Sequence, residues 1–144
     1  GRSLEDQQHF DTLLSNVPSG HTVINDTSYP GWCCDEDTFI TPGREYSVTL
    51  YCSYDPYMPT YFQDDDWDMV NYILNNKQGT KYDQQCAIWY FINHGNDPGS
   101  GPCHDMIVDA LAYGEGFVPG SGQQIAVICD AGENIQHTFI EVDP

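Results

Sequence analysis

Six cysteines are the side chains with the widest range of chemistry in this 144-residue sequence. A thiolate is a nucleophile and a metal ligand, and two thiols can oxidise to a disulfide. Two of the six, Cys33 and Cys34, are adjacent. Because neighbouring side chains on an extended segment point to opposite faces, we expect these two cysteines to have different roles.

Metal binding and Cys–His catalysis are the less favoured interpretations of these residues. No Cys-x-x-Cys pair accompanies Cys33, and Cys103 and His104 are adjacent, so the spacing typical of zinc ligands is missing. The acidic run at residues 64–68 lacks the glycine turn and distal glutamate of an EF-hand, and it suits a helix N-terminus. A hydrolase using Cys33 with a histidine needs a geometry that no spacing here fixes. We therefore expect no metal site.

The cysteines must be positioned by secondary-structure elements, and the sequence predicts strands at both ends of the chain. Residues 45–54 alternate with a period of two, which is typical of a half-buried strand. Further strands are predicted at residues 10–17, 27–35, 123–129 and 135–142, and a hairpin-like connection at 130–134 joins the last two.

The middle of the chain changes to helical spacing. Trp67, Val70 and Ile73 recur at the helix period, and we expect that helix to end at residues 77–79. Further helices are predicted at 83–94 and 103–113. The sequence therefore predicts one α+β domain over residues 1–144, with a β-sandwich or barrel-like sheet from both chain ends (about 8–55 and 114–144) and a helical insertion at about 60–113.

The charge balance excludes several classes of partner. The chain has 22 acidic and 4 basic residues, a net charge of −18. Nucleic acid is excluded, because no basic patch exists to displace phosphate counterions. An anionic membrane surface is disfavoured for the same reason, and no apolar run approaches the length of a membrane span. The cysteine content suggests an oxidising, extracellular setting.

Three short motifs resemble those of the thioester domains of bacterial cell-surface adhesins, the Cys–Gln thioester bond-forming surface proteins. Trp32-Cys33-Cys34-Asp35 is similar to the first, a large apolar residue followed by Cys, an apolar residue and a polar one. Gln84-Gln85-Cys86-Ala87-Ile88-Trp89 resembles Thr-Gln-x-Ala-apolar-Trp, with Gln84 in place of Thr. Ile135-Gln136-His137-Thr138-Phe139 resembles the third, and the likeness extends over residues 10–142.

The resemblance implies an intramolecular thioester between Cys33 and Gln136. The Cys33 sulfur would attack the Gln136 carboxamide carbon, and ammonia would leave, without any cofactor. By the same resemblance, Gln85 supports the site with hydrogen bonds, and Trp32 and Trp89 pack around it. Asp35 is the polar residue of the first motif.

The function implied is covalent adhesion at the cell surface rather than catalysis with turnover. An amine on a host or neighbouring cell, such as a protein lysine or a polyamine, would attack the acyl carbon and release the thiol. We expect a monomer that acts outside the cell, does not insert into a membrane, and is anchored by segments outside this chain.

Alternatives remain at this point. Gln123 or Gln124 could replace Gln136 as the acyl donor. His137 could serve as a proton shuttle, although strand alternation points it away from residue 136. A rival function is a non-covalent binding module with three disulfides and a tyrosine-rich surface. If Cys33 forms the thioester, at most two disulfides can form among the remaining cysteines, and the pairing of these cysteines stays open. Five cysteines remain in that case. They are Cys34, Cys52, Cys86, Cys103 and Cys129.

Overall fold

The computed structural model describes most of the chain, in seven stretches. These are residues 9–15, 23, 26–34, 46–63, 65–92, 95–132 and 137–143. Two of the predicted site residues, Asp35 and Gln136, lie outside these stretches, as do residues 133 and 134 of the predicted connection at 130–134.

Within the described stretches the chain forms strands at both ends and helices between them. The strands are β1 (His9–Leu14), β2 (Thr27–Cys33), β3 (Thr49–Cys52), β4 (Ile125–Asp130) and β5 (Thr138–Val142). The helices are α1 (Thr60–Gln63), α2 (Trp67–Leu74), α3 (Lys81–Ile92) and α4 (Gly101–Tyr113). The predicted α+β class with a central helical insertion is therefore confirmed.

The strands form one curled antiparallel sheet, close to a half-barrel, in the order β1-β2-β5-β4-β3. β5 is the central strand, and all five of its residues are buried. A strand covered on both faces buries its polar residues as well, so Thr138 and Glu141 lie inside together with the three apolar residues. This order sets the end of β2, from the N-terminal part of the chain, directly beside the start of β5.

The two faces of the sheet have different coverings. Trp32, Ile128 and Phe139 pack with the helices in the larger apolar cluster, and we call this side the helix-covered face. Cys129 and Ile140 belong to a smaller cluster on the opposite face. Because successive strand residues alternate, adjacent residues of β2 contribute to different faces.

The helices differ from their predicted bounds where side chains bond to the backbone. α3 begins at Lys81 rather than at residue 83, because Thr80 and Asp83 form a capping box. The Thr80 hydroxyl accepts the Asp83 N–H at 3.1 Å, and the Asp83 carboxylate accepts the Thr80 N–H at 2.8 Å. α2 ends at Leu74, before residues 77–79, and the amide of Asn75 donates to Gln124 O at 2.8 Å.

Membrane insertion through a helix has no candidate among the residues just described. None of α1 to α4 is long and apolar enough to cross a bilayer.

Candidate functional site

Cys33 is the last residue of β2, and only 2% of its surface is exposed. Its partner in β5 is Thr138, and the N–H of the next residue, Cys34, donates to His137 O at 2.8 Å. This pattern makes Cys33 and Thr138 a non-hydrogen-bonded pair, in which the two side chains approach closely. It also directs the backbone N–H and C=O of Cys33 away from β5.

Gln85 of α3 satisfies both of these backbone groups. Its Oε1 accepts the Cys33 N–H at 3.0 Å, and its Nε2 donates to the Cys33 carbonyl at 2.8 Å. A carboxamide has the same donor and acceptor as a peptide group, so this side chain takes the place of a neighbouring strand. Gln85 is fully buried, and each of its two polar groups has a partner.

The helix that carries Gln85 is fixed on both sides of that residue. The capping box described above sets its start. The next residue, Cys86, forms a disulfide with Cys103 of α4, with a Cα–Cα distance of 5.9 Å that is ordinary for such a bond. Two helices therefore hold the amide that contacts Cys33.

Trp32 points to the helix-covered face and is 1% exposed. Its Nε1 donates to Glu141 of β5 at 3.0 Å, and Lys77 forms an ion pair with the other carboxylate oxygen of Glu141. The Lys77 nitrogen also lies 5.8 Å from the centre of the Trp32 ring. Sequence reasoning missed Lys77 and Glu141, although one charged residue in the apolar strand TFIEV was a usable signal.

His137 joins several elements beside Cys34. Its ring stacks on Tyr61 at 5.2 Å between centroids and meets the edge of Phe62 at 4.9 Å. Its Nε2 lies 3.0 Å from Gly132 O and 3.7 Å from a carboxylate oxygen of Asp130. The Tyr61 hydroxyl donates to the other Asp130 oxygen at 2.7 Å. No pattern in the sequence linked these positions.

Trp89, the last residue of the second motif, lies one helical turn after Gln85 on α3. Its indole Nε1 is buried and has no hydrogen-bond partner in the described part of the chain. Its backbone belongs to the helix that contacts Cys33 through Gln85.

The structure separates the alternative acyl donors from Cys33. Gln123 and Gln124 precede β4, whereas the β4 residue in the Cys33–Thr138 row is Cys129. Five positions of strand correspond to roughly 16 Å, so Gln124 lies at the other end of the sheet. The side chain of Gln123 accepts the Gly120 N–H at 2.8 Å, and the backbone of Gln124 bonds to Asn75.

The described thiols differ in their accessibility. Cys129 is buried, which raises its pKa to about 12, against a smaller lowering by a hydrogen bond with Thr138. It is therefore a protonated, unreactive thiol at neutral pH. Cys52 is a free and exposed thiol.

Two rival interpretations gain little from this geometry. Over the described stretches, one disulfide is present, Cys86–Cys103, whereas the non-covalent module was expected to have three. No group of three or more His, Cys, Asp or Glu side chains in those stretches could hold a metal ion.

A scan against protein-family models found no match, and searches of curated proteins and of solved structures found none either.

Proposed function

We propose that this chain is a covalent attachment domain in which the Cys33 sulfur and the Gln136 side chain form an intramolecular thioester. The observation that carries the proposal is the pair of hydrogen bonds between Gln85 and the backbone of Cys33. They fix Cys33 beside the strand that follows Gln136 in the chain. Two of the three motifs thus meet at one buried point, and the third leads directly into β5.

The register of β2 and β5 makes the bond geometrically reasonable. Cys33 pairs with Thr138, which follows Gln136 by two positions. Strand residues two apart share a face, so the proposal requires β5 to continue backwards with the Gln136 side chain on the face of Cys33. Diagonal neighbours in an antiparallel pair have Cα atoms about 7–8 Å apart, a distance that a joined Cys and Gln side chain can span.

The reaction needs no group beyond the two side chains. The sulfur of Cys33 adds to the Gln136 carboxamide carbon, the carbon–nitrogen bond breaks, and the thiol proton leaves with ammonia. Holding the two groups in one place contributes an effective concentration on the order of 10⁵ M or more. The burial of Cys33 keeps water away from the product, so the acyl group survives until a stronger nucleophile arrives.

The resulting domain reacts once and then stays attached. An amine of a protein lysine or a polyamine attacks the acyl carbon, the Cys33 thiol is released, and Gln136 becomes part of a stable amide. The net charge of −18 attracts cationic, amine-bearing partners. We place this activity outside the cell, at the cell surface, and the disulfide is consistent with an oxidising compartment.

Intact mass spectrometry of freshly prepared protein tests the proposal. The wild-type chain is expected to lack one ammonia relative to its formula with one disulfide, and methylamine is expected to add to it as a whole molecule. Cys33→Ala must abolish both effects. Cys52→Ser, which changes an exposed thiol away from the site, is the matched control and must retain both. A wild-type chain of full mass that ignores methylamine excludes the thioester.

A non-covalent binding module is the second candidate. It is favoured by exposed tyrosines, of which Tyr57 is 88% and Tyr113 72% exposed. Such rings provide apolar surface with a polar tip, as in many recognition surfaces. This function predicts reversible binding, full mass and no reaction with methylamine.

A further inference from the structure

We propose that the Cys86–Cys103 disulfide makes the Cys33 site dependent on the redox state of its surroundings. While the bond is closed, it keeps Gln85 hydrogen-bonded to the backbone of Cys33, and its reduction weakens that hold. The inference rests on the proposed function and deepens it by naming a condition that the attachment chemistry requires. It is carried by the contacts of Gln85 and by the place of the disulfide beside that residue.

The helix α3 reaches Cys33 through one long side chain. Gln85 Oε1 accepts the Cys33 N–H at 3.0 Å, and Gln85 Nε2 donates to the Cys33 carbonyl at 2.8 Å. The helix itself packs most extensively against α4 and α2, and less against β1. The position of Gln85 relative to Cys33 therefore depends on how firmly the neighbouring helices hold α3.

The disulfide is the covalent part of that hold. Cys86 directly follows Gln85, and its bond joins α3 to Cys103 in the first turn of α4. α4 is anchored in turn by Met106 and Ile107, which are buried in the larger apolar cluster. A covalent link at this point suppresses the local openings that would separate Gln85 from the end of β2.

The redox step involves the two cysteines and a small partner molecule. Closing the bond takes two electrons and two protons from the thiols, and a low-molecular-weight disulfide accepts them and leaves as two thiols. A dithiol reverses the step. Because Cys86 is partly exposed and Cys103 is buried, a thiolate of the dithiol attacks the Cys86 sulfur, and Cys103 leaves as a thiolate. The N-terminal turn of α4 favours that negative charge. The second thiol of the reductant then releases Cys86.

The consequence is a site that is fully assembled only where disulfides form. In a reducing compartment the backbone of Cys33 is held less firmly, so its sulfur spends less time in the geometry that the thioester requires. The attachment chemistry is therefore slow until the chain reaches an oxidising setting. This order protects the acyl group from amines that the chain meets earlier.

A second strand amide with the same kind of partner provides an internal control. The Ala126 N–H of β4 donates to Oδ1 of Asn71 on α2 at 2.7 Å, and both residues are buried. α2 contains no cysteine and packs directly on β4. Opening the disulfide should therefore affect the N–H of residue 33 more than the N–H of Ala126.

Amide hydrogen exchange, followed by NMR in a Cys33→Ala chain, measures this hold without any thioester. The substitution keeps the backbone N–H that bonds to Gln85. We expect dithiothreitol to speed exchange at residue 33 on the order of 10-fold more than at Ala126. When Cys86→Ala and Cys103→Ala are added, the same excess is expected without reductant, and the reductant should add nothing.

A second measurement connects the disulfide to the reaction. Intact mass follows the fraction of chains that lack one ammonia, at increasing times after synthesis in an oxidising cell-free system. The Cys86→Ala, Cys103→Ala chain is expected to lose ammonia on the order of 10-fold more slowly than the wild type, because the sulfur is less well positioned. Cys52→Ser, at an exposed free thiol, is the matched control and should keep the wild-type rate. Melting temperatures show whether each variant folds.

The outcomes separate this inference from the proposed function. Excess exchange at residue 33 together with slower loss of ammonia supports the redox dependence. Equal changes at residue 33 and Ala126, or loss of ammonia at the wild-type rate without the disulfide, overturn it and leave the proposed function standing. A wild-type chain that never loses ammonia overturns both. Should the double variant not fold, the reduced Cys33→Ala chain, which keeps both cysteines, decides the exchange test by itself.

Discussion

The side-chain amide of Gln85 and the backbone of Cys33 form two hydrogen bonds across 52 positions of sequence. The N–H and C=O of Cys33 point away from β5, so β5 cannot bond to them. A buried backbone group without a hydrogen-bond partner costs stability. Gln85 removes that cost and at the same time sets the position of Cys33. A helix side chain thereby completes the hydrogen bonding at the end of a strand.

Gln85→Glu tests this arrangement through its dependence on pH. A neutral carboxylic acid can still accept from the Cys33 N–H and donate to its carbonyl, whereas a carboxylate cannot donate. Burial favours the neutral form and raises the pKa of the introduced carboxyl in the folded state above its unfolded value of about 4.3. The stability of the variant should therefore be close to that of the wild type near pH 4 and fall as the pH rises. At pH 7 we expect a loss on the order of 3 kcal/mol, measured by urea denaturation.

The neighbouring glutamine provides the control for this change. Gln84 lies on the same helix but is half-buried, and its amide donates to two carbonyls at 3.3 Å. Gln84→Glu is expected to cost less than about 1 kcal/mol, with little change between acid and neutral pH. If both variants lose the same stability at pH 7, the hydrogen bonds between Gln85 and Cys33 contribute no more to stability than those of Gln84.

The buried carboxylate of Glu141 gives a second prediction. Lys77→Met leaves Glu141 with the Trp32 N–H but without its counter-charge, and we expect a loss of about 2 kcal/mol. The loss is moderate because the Lys77 side chain is 34% exposed and water partly replaces it. Adding Glu141→Gln removes the charge, keeps an acceptor for Trp32, and should restore part of the stability.

A double-mutant cycle in denaturant measures this coupling. The interaction energy of the pair is expected to be about 1 kcal/mol or more. The exposed Lys81, on the first turn of α3, is the matched control, since Lys81→Met should change stability by less than about 0.5 kcal/mol. Additive effects of the Lys77 and Glu141 substitutions contradict the prediction.

The sequence predicted the elements of the fold better than their ends. The period of residues 67–74 located α2, because an amphipathic helix must repeat at its own turn. The start of α3 was misplaced because the Thr80–Asp83 capping box was not recognised, although both residues are visible in the sequence. The end of α2 depends on a bond from Asn75 to Gln124, which only the folded chain brings together.

In the candidate site, too, the sequence predicted which residues matter but not the contacts between them. The motifs pointed to Gln85 and Cys33, but their bonds follow from the packing of α3 against the end of β2, which sequence spacing does not reveal. The contacts of Tyr61 with His137 and Asp130 are tertiary as well. Local patterns predict elements, whereas pairings between distant elements depend on the sheet order.

The Cys86–Cys103 disulfide gives a third prediction. It closes a loop with a sequence separation of 17, for which chain entropy predicts about 3 kcal/mol of stabilisation. Replacing both cysteines by serine should lower the melting temperature by several degrees. In a Cys33→Ala background, where no thioester can react with the reductant, dithiothreitol should lower the melting temperature in the same way when both cysteines are present and leave the double serine variant unchanged. A reductant effect of equal size in both proteins would show that this bond is not the cause.

The last prediction concerns the buried thiol of Cys129. Burial raises its pKa from 9.0 to about 12 in the folded protein, so the folded state retains a proton that the unfolded state releases above about pH 9. Its contribution to stability is therefore complete below pH 9 and is lost as the pH rises towards 12. The difference corresponds to at most about 4 kcal/mol.

Cys129→Ser removes the ionisable thiol. Both this variant and its parent should carry Cys33→Ala, so that hydrolysis of the thioester does not contribute to the pH dependence of stability. The serine variant is expected to be less stable at neutral pH, because it places a hydroxyl in an apolar cluster. Since only the parent loses stability through Cys129 in alkali, the gap between the two should narrow between neutral pH and about pH 11. Cys52→Ser, at the exposed thiol, should keep the slope of the parent. The free energy of unfolding is measured by urea denaturation at each pH. If it falls with pH equally in Cys129→Ser and its parent, the Cys129 thiol ionises equally in the folded and unfolded states.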